Sequence, residues 1–302
     1  MKRLFSTLFF LFSLSNTFAQ HIKPDSSQTS KDLLDSLYIS EIEAVKGKDK
    51  VLHAEPLFID LIRDLGARKG EKEWNVGMGM TDHKNYDTYS TLVEYEFAPI
   101  DRLGFEIELP FSFSYPLDTL VKKSEIPQNR LNGLKLATQY SFFVSEKYST
   151  SMAIGYIHEF EMTNFKQYGK KRLFEGNVYN PFFVAAKRWT DNMHTLLYTG
   201  PYIQHHFKDN SLHTTWQINS NFHYMISGTK NFIGVELNKE INKRDFDMTI
   251  RPQMRLTISD KMLVGIVTGI PINRESQRFS TFIRVIYEPS HRSKHKSASF
   301  KS

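Results

Sequence analysis

The chain contains no cysteine. That excludes disulfides, thiolate metal centres, cysteine nucleophiles and the acylated N-terminal cysteine of a lipoprotein. Long apolar runs are also missing, since no stretch reaches the ~18 consecutive apolar residues of a membrane helix. No GKS/T or GxGxxG motif stands between a strand and a helix, so a phosphate-cradling loop is not expected. The body of the chain has no charge excess either. Its formal charge of +6 is accounted for by Lys2, Arg3, Arg292, Lys294, Lys296 and Lys301, in two end segments without acids. Residues 20–289 are therefore neutral in sum, which argues against a nucleic-acid-binding face.

What the chain has instead is aromatic rings, 24 Phe, 14 Tyr and 3 Trp, in a sequence whose mean hydropathy is negative. A barrel wall gives lipid only every other residue, so low average hydropathy is compatible with integration in a membrane. Residues 103–115 read LGFEIELPFSFSY, with apolar or aromatic side chains at odd positions and Gly, Glu, Pro or Ser at even ones. That period of two predicts a strand with one greasy and one wet face. Comparable segments recur from residue 73 to residue 289. Connections of alternating short and long length join them, and aromatic residues fall near both ends of the strands. The expected fold is all-β: a transmembrane antiparallel up-and-down β-barrel of about 12 strands, with both termini in the periplasm. A secreted β-sandwich is the competing reading, but its strands are shorter and need no aromatic girdles.

The N-terminal region divides into three. Residues 1–19 carry Lys2 and Arg3, an apolar run and Thr17-Phe18-Ala19, the pattern of a cleavable signal peptide. Residues 20–52 form a polar periplasmic arm with a weak helical pattern ending at Gly47. In residues 53–72, Pro56 suits a first helical turn, Leu57, Phe58, Leu61, Ile62 and Leu65 fall on one stripe, and Gly66 supplies a stop. A short amphipathic helix is predicted over residues 55–65, docked at the periplasmic mouth or in the lumen, because a helix so short is marginal alone. Residues 290–302 are a basic tail.

The string His53-Ala54-Glu55-Pro56-Leu57-Phe58-Ile59-Asp60, continuing to Gly77, resembles the signature of the HAEPLYID family, signal-bearing proteins of Gram-negative bacteria. Phe58 stands where the family string has Tyr, which keeps the ring and removes the hydroxyl. The match covers about the first quarter of the mature chain, and the strand pattern beyond is similar in kind. The resemblance implies an outer-membrane location and barrel architecture, with His53, Glu55, Pro56, Leu57, Phe58, Asp60, Leu61, Ile62 and Leu65 as motif residues. It brings no catalytic residue with it.

The inward face carries the charges. A tight turn near Arg102 sets Glu96 opposite Glu106 and Glu94 opposite Glu108, where like charges repel and require compensation. Lys135, His223 and a basic side made of Arg251, Arg255 and Arg284 share the wet face. These groups form either salt bridges that fill a narrow lumen or a charged constriction for solute. His205, His206 and His213 lie near Asp209 on outer connections, but their spacing matches no compact metal motif, and no metal or cofactor is expected. His158 is the one lipid-facing histidine suited to a hydrolase, and it has no serine beside it. The expected function is a porin-like channel or transporter for a small solute, with outer-membrane lipid as the other partner. A structural barrel with a closed lumen is the alternative and a lipid-modifying enzyme the second alternative. The oligomeric state is left open.

Overall fold

The computed structural model describes residues 26–44, 48–59, 61–243, 245–274 and 277–289. The signal segment, the basic tail, Gly47 and Asp60 lie outside the described residues. One helix, α1 (Ser26–Glu43), comes first. Thirteen strand segments follow: β1 (Lys72–His83), β2 (Tyr86–Ile100), β3 (Leu103–Pro116), β4 (Arg130–Leu131), β5 (Gly133–Ser145), β6 (Thr150–Met162) and β7 (Phe174–Arg188). The rest are β8 (Met193–His206), β9 (Ser211–Met225), β10 (Phe232–Asn242), β11 (Asp245–Ser259), β12 (Met262–Pro271) and β13 (Gln277–Tyr287). The two-residue β4 continues β5 beyond Asn132, and β3 pairs with both. Every other strand pairs antiparallel with its sequence neighbours, and β1 pairs with β13 from Trp74–Tyr287 outward. The result is a closed twelve-walled barrel without a free edge, so the backbone of the wall is satisfied internally.

Alternation along the strands sorts the side chains. In β3, Glu106 and Glu108 are buried inward while Ile107 and Leu109 are exposed outward, and β1 does the same with Asn75 inside and Trp74, Val76 and Met78 outside. Rings stack along the periplasmic rim from Trp74 to Tyr95, Phe97 and Phe105 at centroid distances of 4.5, 5.6 and 5.7 Å. This amphipathic belt is what a headgroup layer favours. Of the rings near the outer strand ends, which the sequence pattern assigns to a lipid-facing girdle, Tyr202 instead lies on the inward-facing row of β8 with Tyr198. Connection lengths also depart from strict alternation. The outer connections at residues 84–85 and 243–244 are as short as any periplasmic turn, while the periplasmic connection at residues 226–231 is longer than either.

The core lies inside the barrel rather than between layers. Residues 51–66 enter from the periplasmic mouth, rise to mid-barrel near Leu57, Phe58 and Ile59, and return to β1. Ile59, Leu61, Ile62 and Leu65 pack with Ala137, Ile157, Phe182, Val184, Leu196 and Tyr198 of one wall. Ala54 and Leu57 pack with Phe232, Leu263, Val267 and Ile286 of the opposite wall. The predicted helix over residues 55–65 is not formed: the described residues of this segment are a run of bends and turns. Leu57, Leu61, Ile62 and Leu65 are buried as expected, but Leu57 packs on one wall and Leu61, Ile62 and Leu65 on the opposite one, which a single helical stripe cannot do. The polar arm is ordered in its described part as α1, which lies on the periplasmic turns.

Candidate functional site: the plugged lumen

The wall grips the plug largely through its backbone. Glu236 on β10 accepts from three successive amides, with Leu57 and Phe58 N–H donating to Oε1 at 2.9 and 3.1 Å and Ile59 N–H to Oε2 at 2.9 Å. The Leu57 amide is shared with Gln253 Oε1 at 3.0 Å. Successive N–H groups pointing to one side make an anion-binding nest, here filled by the wall's own carboxylate. Further along, the Ala54 amide donates to His194 Nδ1 at 2.9 Å, Gln139 Nε2 donates to the Arg63 carbonyl at 2.6 Å and the Gly66 amide donates to Ser141 Oγ at 2.9 Å. Gly66 turns the chain out of the plug at φ +83°, a left-handed conformation that glycine adopts without a steric penalty.

The wall is also hollowed where the plug sits. An added Cβ at Gly104 would meet Arg63 Cβ at 2.6 Å, and one at Gly265 would meet Leu57 Cδ2 at 2.5 Å. Between plug and wall, a cavity beside Glu55, Leu61, Arg63 and Arg284 measures about 20 Å³, room for roughly one water.

The register sets Glu94 opposite Glu108 and Glu96 opposite Glu106, all four buried. Lys135 reaches Glu106 at 3.2 Å and Glu108 at 2.6 Å, and Arg284 reaches Glu94 at 3.3 Å. The remaining compensation comes from the plug, because Arg63 contacts Glu73 at 2.8 Å and Glu96 at 3.2 Å. Asn75 donates its amide to Glu94 and Glu96 at 2.7 and 2.9 Å. Ligand oxygens of Glu94, Glu96 and Glu106 lie within 4.8 Å of one another, the one grouping among the described residues that could hold a metal ion. Cations and an amide already engage this cluster, and we assign it no metal.

The expected basic side does not form as a unit. Arg284 joins the carboxylates, whereas Arg251 donates to Asn238 and Ser280 and stacks 3.4 Å over Phe58, the half-exposed apex of the plug. Arg255 turns to Glu55 at 3.5 Å and to the Lys230 carbonyl, over the ring of Phe232. Pairing with the plug moves these two arginines away from the carboxylate wall. His223 is buried, with Nδ1 3.2 Å from the Ala54 carbonyl and Nε2 2.9 Å from Gln253. Pro56, Leu57, Leu61, Ile62 and Leu65 line the plug interior, while Asp60 lies outside the described residues.

Sequence reasoning missed Lys50, Arg63, Asp64, Glu73 and Glu236. At the periplasmic mouth Lys50 Nζ sits 2.7 Å from Asp64 and 2.8 Å from Glu71. Burial alone would lower the Lys50 pKa, but these carboxylates reverse that and hold it above its ordinary value. Asp64 would be raised by burial, yet Arg63 and Lys50 hold it well below the usual carboxylate range. His53, 2.9 Å from Ser151 Oγ, is lowered to about 3 by burial and by the neighbouring His194 and Arg188. For Arg63 and Asp64 the signal that could have found them was the charge content of the plug itself, which was read for its apolar stripe; Glu73 and Glu236 lie on β1 and β10, where alternation alone marks them as inward.

Above the plug the inward side chains change character. Ser90, Glu161, Gln204, Gln217 and Glu240 keep contact with solvent, forming a polar vestibule that faces the outer side. Helix α1 closes the opposite end. Asp35 accepts from the Gly228 amide at 2.7 Å and from Asn192 at 3.1 Å, and Glu43 pairs with Arg188 at 2.7 Å.

A closed antiparallel barrel with an apolar exterior, aromatic belts and a polar interior belongs to the class of membrane-spanning β-barrels. A family model described as HAEPLYID-like matches residues 49–288, and the chain belongs to that family. The match takes in plug and barrel together. Among solved structures, the chain is similar to the COG4313 outer membrane channel from Pseudomonas putida F1, at 10% identity and a TM-score of 0.59, over 76% of this chain and 99% of that one. It is also similar to the NanC porin, at 9% identity and a TM-score of 0.51, over 71% and 98%. At these identities the likeness concerns the fold. No curated protein matches the sequence.

Proposed function

We propose that this barrel resides in the outer membrane and is a channel for a small polar solute, held shut at its periplasmic end by residues 51–66. The observation carrying this reading is the division of the lumen. A solvated polar vestibule opens outward, and it ends on a separate piece of chain bonded to the wall rather than on side chains of the wall itself. Bonds of the Glu236 type can be exchanged for water without unfolding a strand. The fold shared with channel proteins of the outer membrane supports the same reading.

Planar-bilayer recording of the full mature chain beside Gly265→Val tests it. The valine side chain enters space held by Leu57 and should displace the plug while leaving the β12 ladder intact. The expected result is a mostly closed parent and frequent openings in the variant. A folded variant with no conductance under any condition would defeat the channel reading. The apolar packing of Ile62 and Leu65 against Phe182 and Tyr198 favours a second reading, a permanently closed structural barrel, and that same silent variant would support it.

We read the chain as non-catalytic. Lipid-facing His158 lies 3.4 Å from Tyr156 Oη and 3.4 Å from Asn177 Oδ1, a polar cluster lacking the serine that a serine-histidine hydrolase requires.

A further inference from the structure

The two ends of the barrel differ in charge. The periplasmic turns at residues 101–102, 146–149, 189–192, 226–231 and 260–261 balance four basic residues with four acidic ones. The outer connections at residues 84–85, 117–129, 163–173, 207–210, 243–244 and 272–276 carry eleven basic residues and four acidic ones. The densest part of this excess is Lys166, Lys170, Lys171 and Arg172, with Lys122 in the neighbouring connection.

Ring contacts anchor this basic lobe to the lipid-facing side of the rim. Phe165 packs 6.3 Å from Phe113, which belongs to the outward row of β3, and Phe174 packs 5.8 Å from Phe160 on the outward row of β6. The Phe165 amide donates to the Asn129 carbonyl at 3.2 Å and Lys166 Nζ donates to Gln128 at 2.7 Å, joining the two long outer connections into one body. Leu120, Tyr168 and Leu173 are exposed on it. Just below, Tyr156, His158, Asn177 and Tyr179 put hydrogen-bonding groups on the outer wall, where an all-apolar surface would suit acyl chains. Lys170, Lys171 and Arg172 are exposed.

We propose that this lobe is a docking surface for phosphate-bearing lipid headgroups in the leaflet surrounding the outer rim. Cations beside exposed rings and leucines, with hydrogen-bonding side chains one layer deeper, match a ligand that is anionic at the top and apolar below. A free anion entering the vestibule would instead meet Glu161 and Glu240, which repel it. This inference rests on the membrane placement proposed above.

The test uses the full mature chain in a neutral maltoside detergent. Retention of bisphosphorylated lipid A is measured by native mass spectrometry, beside the same lipid stripped of both phosphates. Each cation near an anionic surface contributes roughly fivefold in affinity, so joint replacement K170Q/K171Q/R172Q should lower retention by on the order of a hundredfold. K208Q/K243Q, elsewhere on the rim, should change it less than about twofold. Equal retention of the two lipids, an unaffected triple variant, or full displacement by inorganic phosphate would overturn the proposal. Gel migration with and without boiling is read on the same samples. A heat-modifiable barrel that ignores the phosphates sinks the lipid docking alone, whereas a chain lacking heat-modifiability sinks the membrane reading and the docking with it.

Discussion

The two halves of the lumen are built from the same strands and the same alternation, yet they differ in what satisfies their polar groups. In the outer half, side chains such as Gln204 and Gln217 face solvent. In the periplasmic half, Glu236, His194, Gln139 and Ser141 meet the backbone of a different segment, and Glu73 and Glu96 depend on its Arg63. A barrel wall can therefore be complete in its hydrogen-bond ladder and still incomplete in its interior. The difference implies that a disturbance should be costly below mid-barrel and mild above it.

The largest effect is expected from deleting residues 20–66. The barrel should remain heat-modifiable on gels, and planar-bilayer recording should change from a mostly closed to a steadily conducting protein. If the deleted form conducts no better than the parent, the two halves are not divided by the plug. Next, Arg63→Gln leaves Glu73 and Glu96 buried without their partner. Thermal unfolding followed by gel shift should report a loss of about 3–5 kcal/mol. Arg278→Gln, which removes a solvated pair with Asp82 at the outer rim, should cost less than about 1 kcal/mol in the same assay. Equal losses would erase the contrast.

A smaller effect is expected from acid. His53 is lowered to about 3 in the docked plug from an ordinary 6.5, so the released plug binds more protons across that interval. Falling pH therefore favours release, and open probability should rise from about pH 7.5 to about pH 4.5. Asp64, held low by its cations once the opposing effect of burial is overcome, acts in the same direction as it protonates. Glu55 is raised by burial and by Asp64 and opposes the change, so the net response is modest. His53→Gln should flatten the response, and a slope unaltered by that substitution would assign the pH sensitivity elsewhere.

The wall was legible in the sequence because its rule is local. An odd residue such as Ile107 faces lipid and an even one such as Glu106 faces inward whatever the distant chain does. The tight turn near Arg102 then set the pairing of Glu94 with Glu108. The plug was misread because spacing alone does not show which wall each side chain meets. Leu57, Leu61, Ile62 and Leu65 recur at helical intervals, but they bury against two opposite walls, and the amides of residues 57–59 meet Glu236 some 180 residues away. Glu236 itself was not singled out, because nothing local marks a carboxylate that binds a distant backbone. Arg251 and Arg255 were placed on the right face, but their partners, Phe58 and Glu55, belong to the plug.

The grip on Leu57 has a consequence for biogenesis. Its amide is held by Glu236 and Gln253, and Gly265 makes room for its side chain, so a segment made before β1 rests on strands made near the end of synthesis. A cylinder already sealed would have to admit the segment, apolar side chains first, through its periplasmic mouth, whereas seating it before the β1–β13 seam zips avoids that passage. The early segment is thus positioned to be enclosed by the late strands as they arrive.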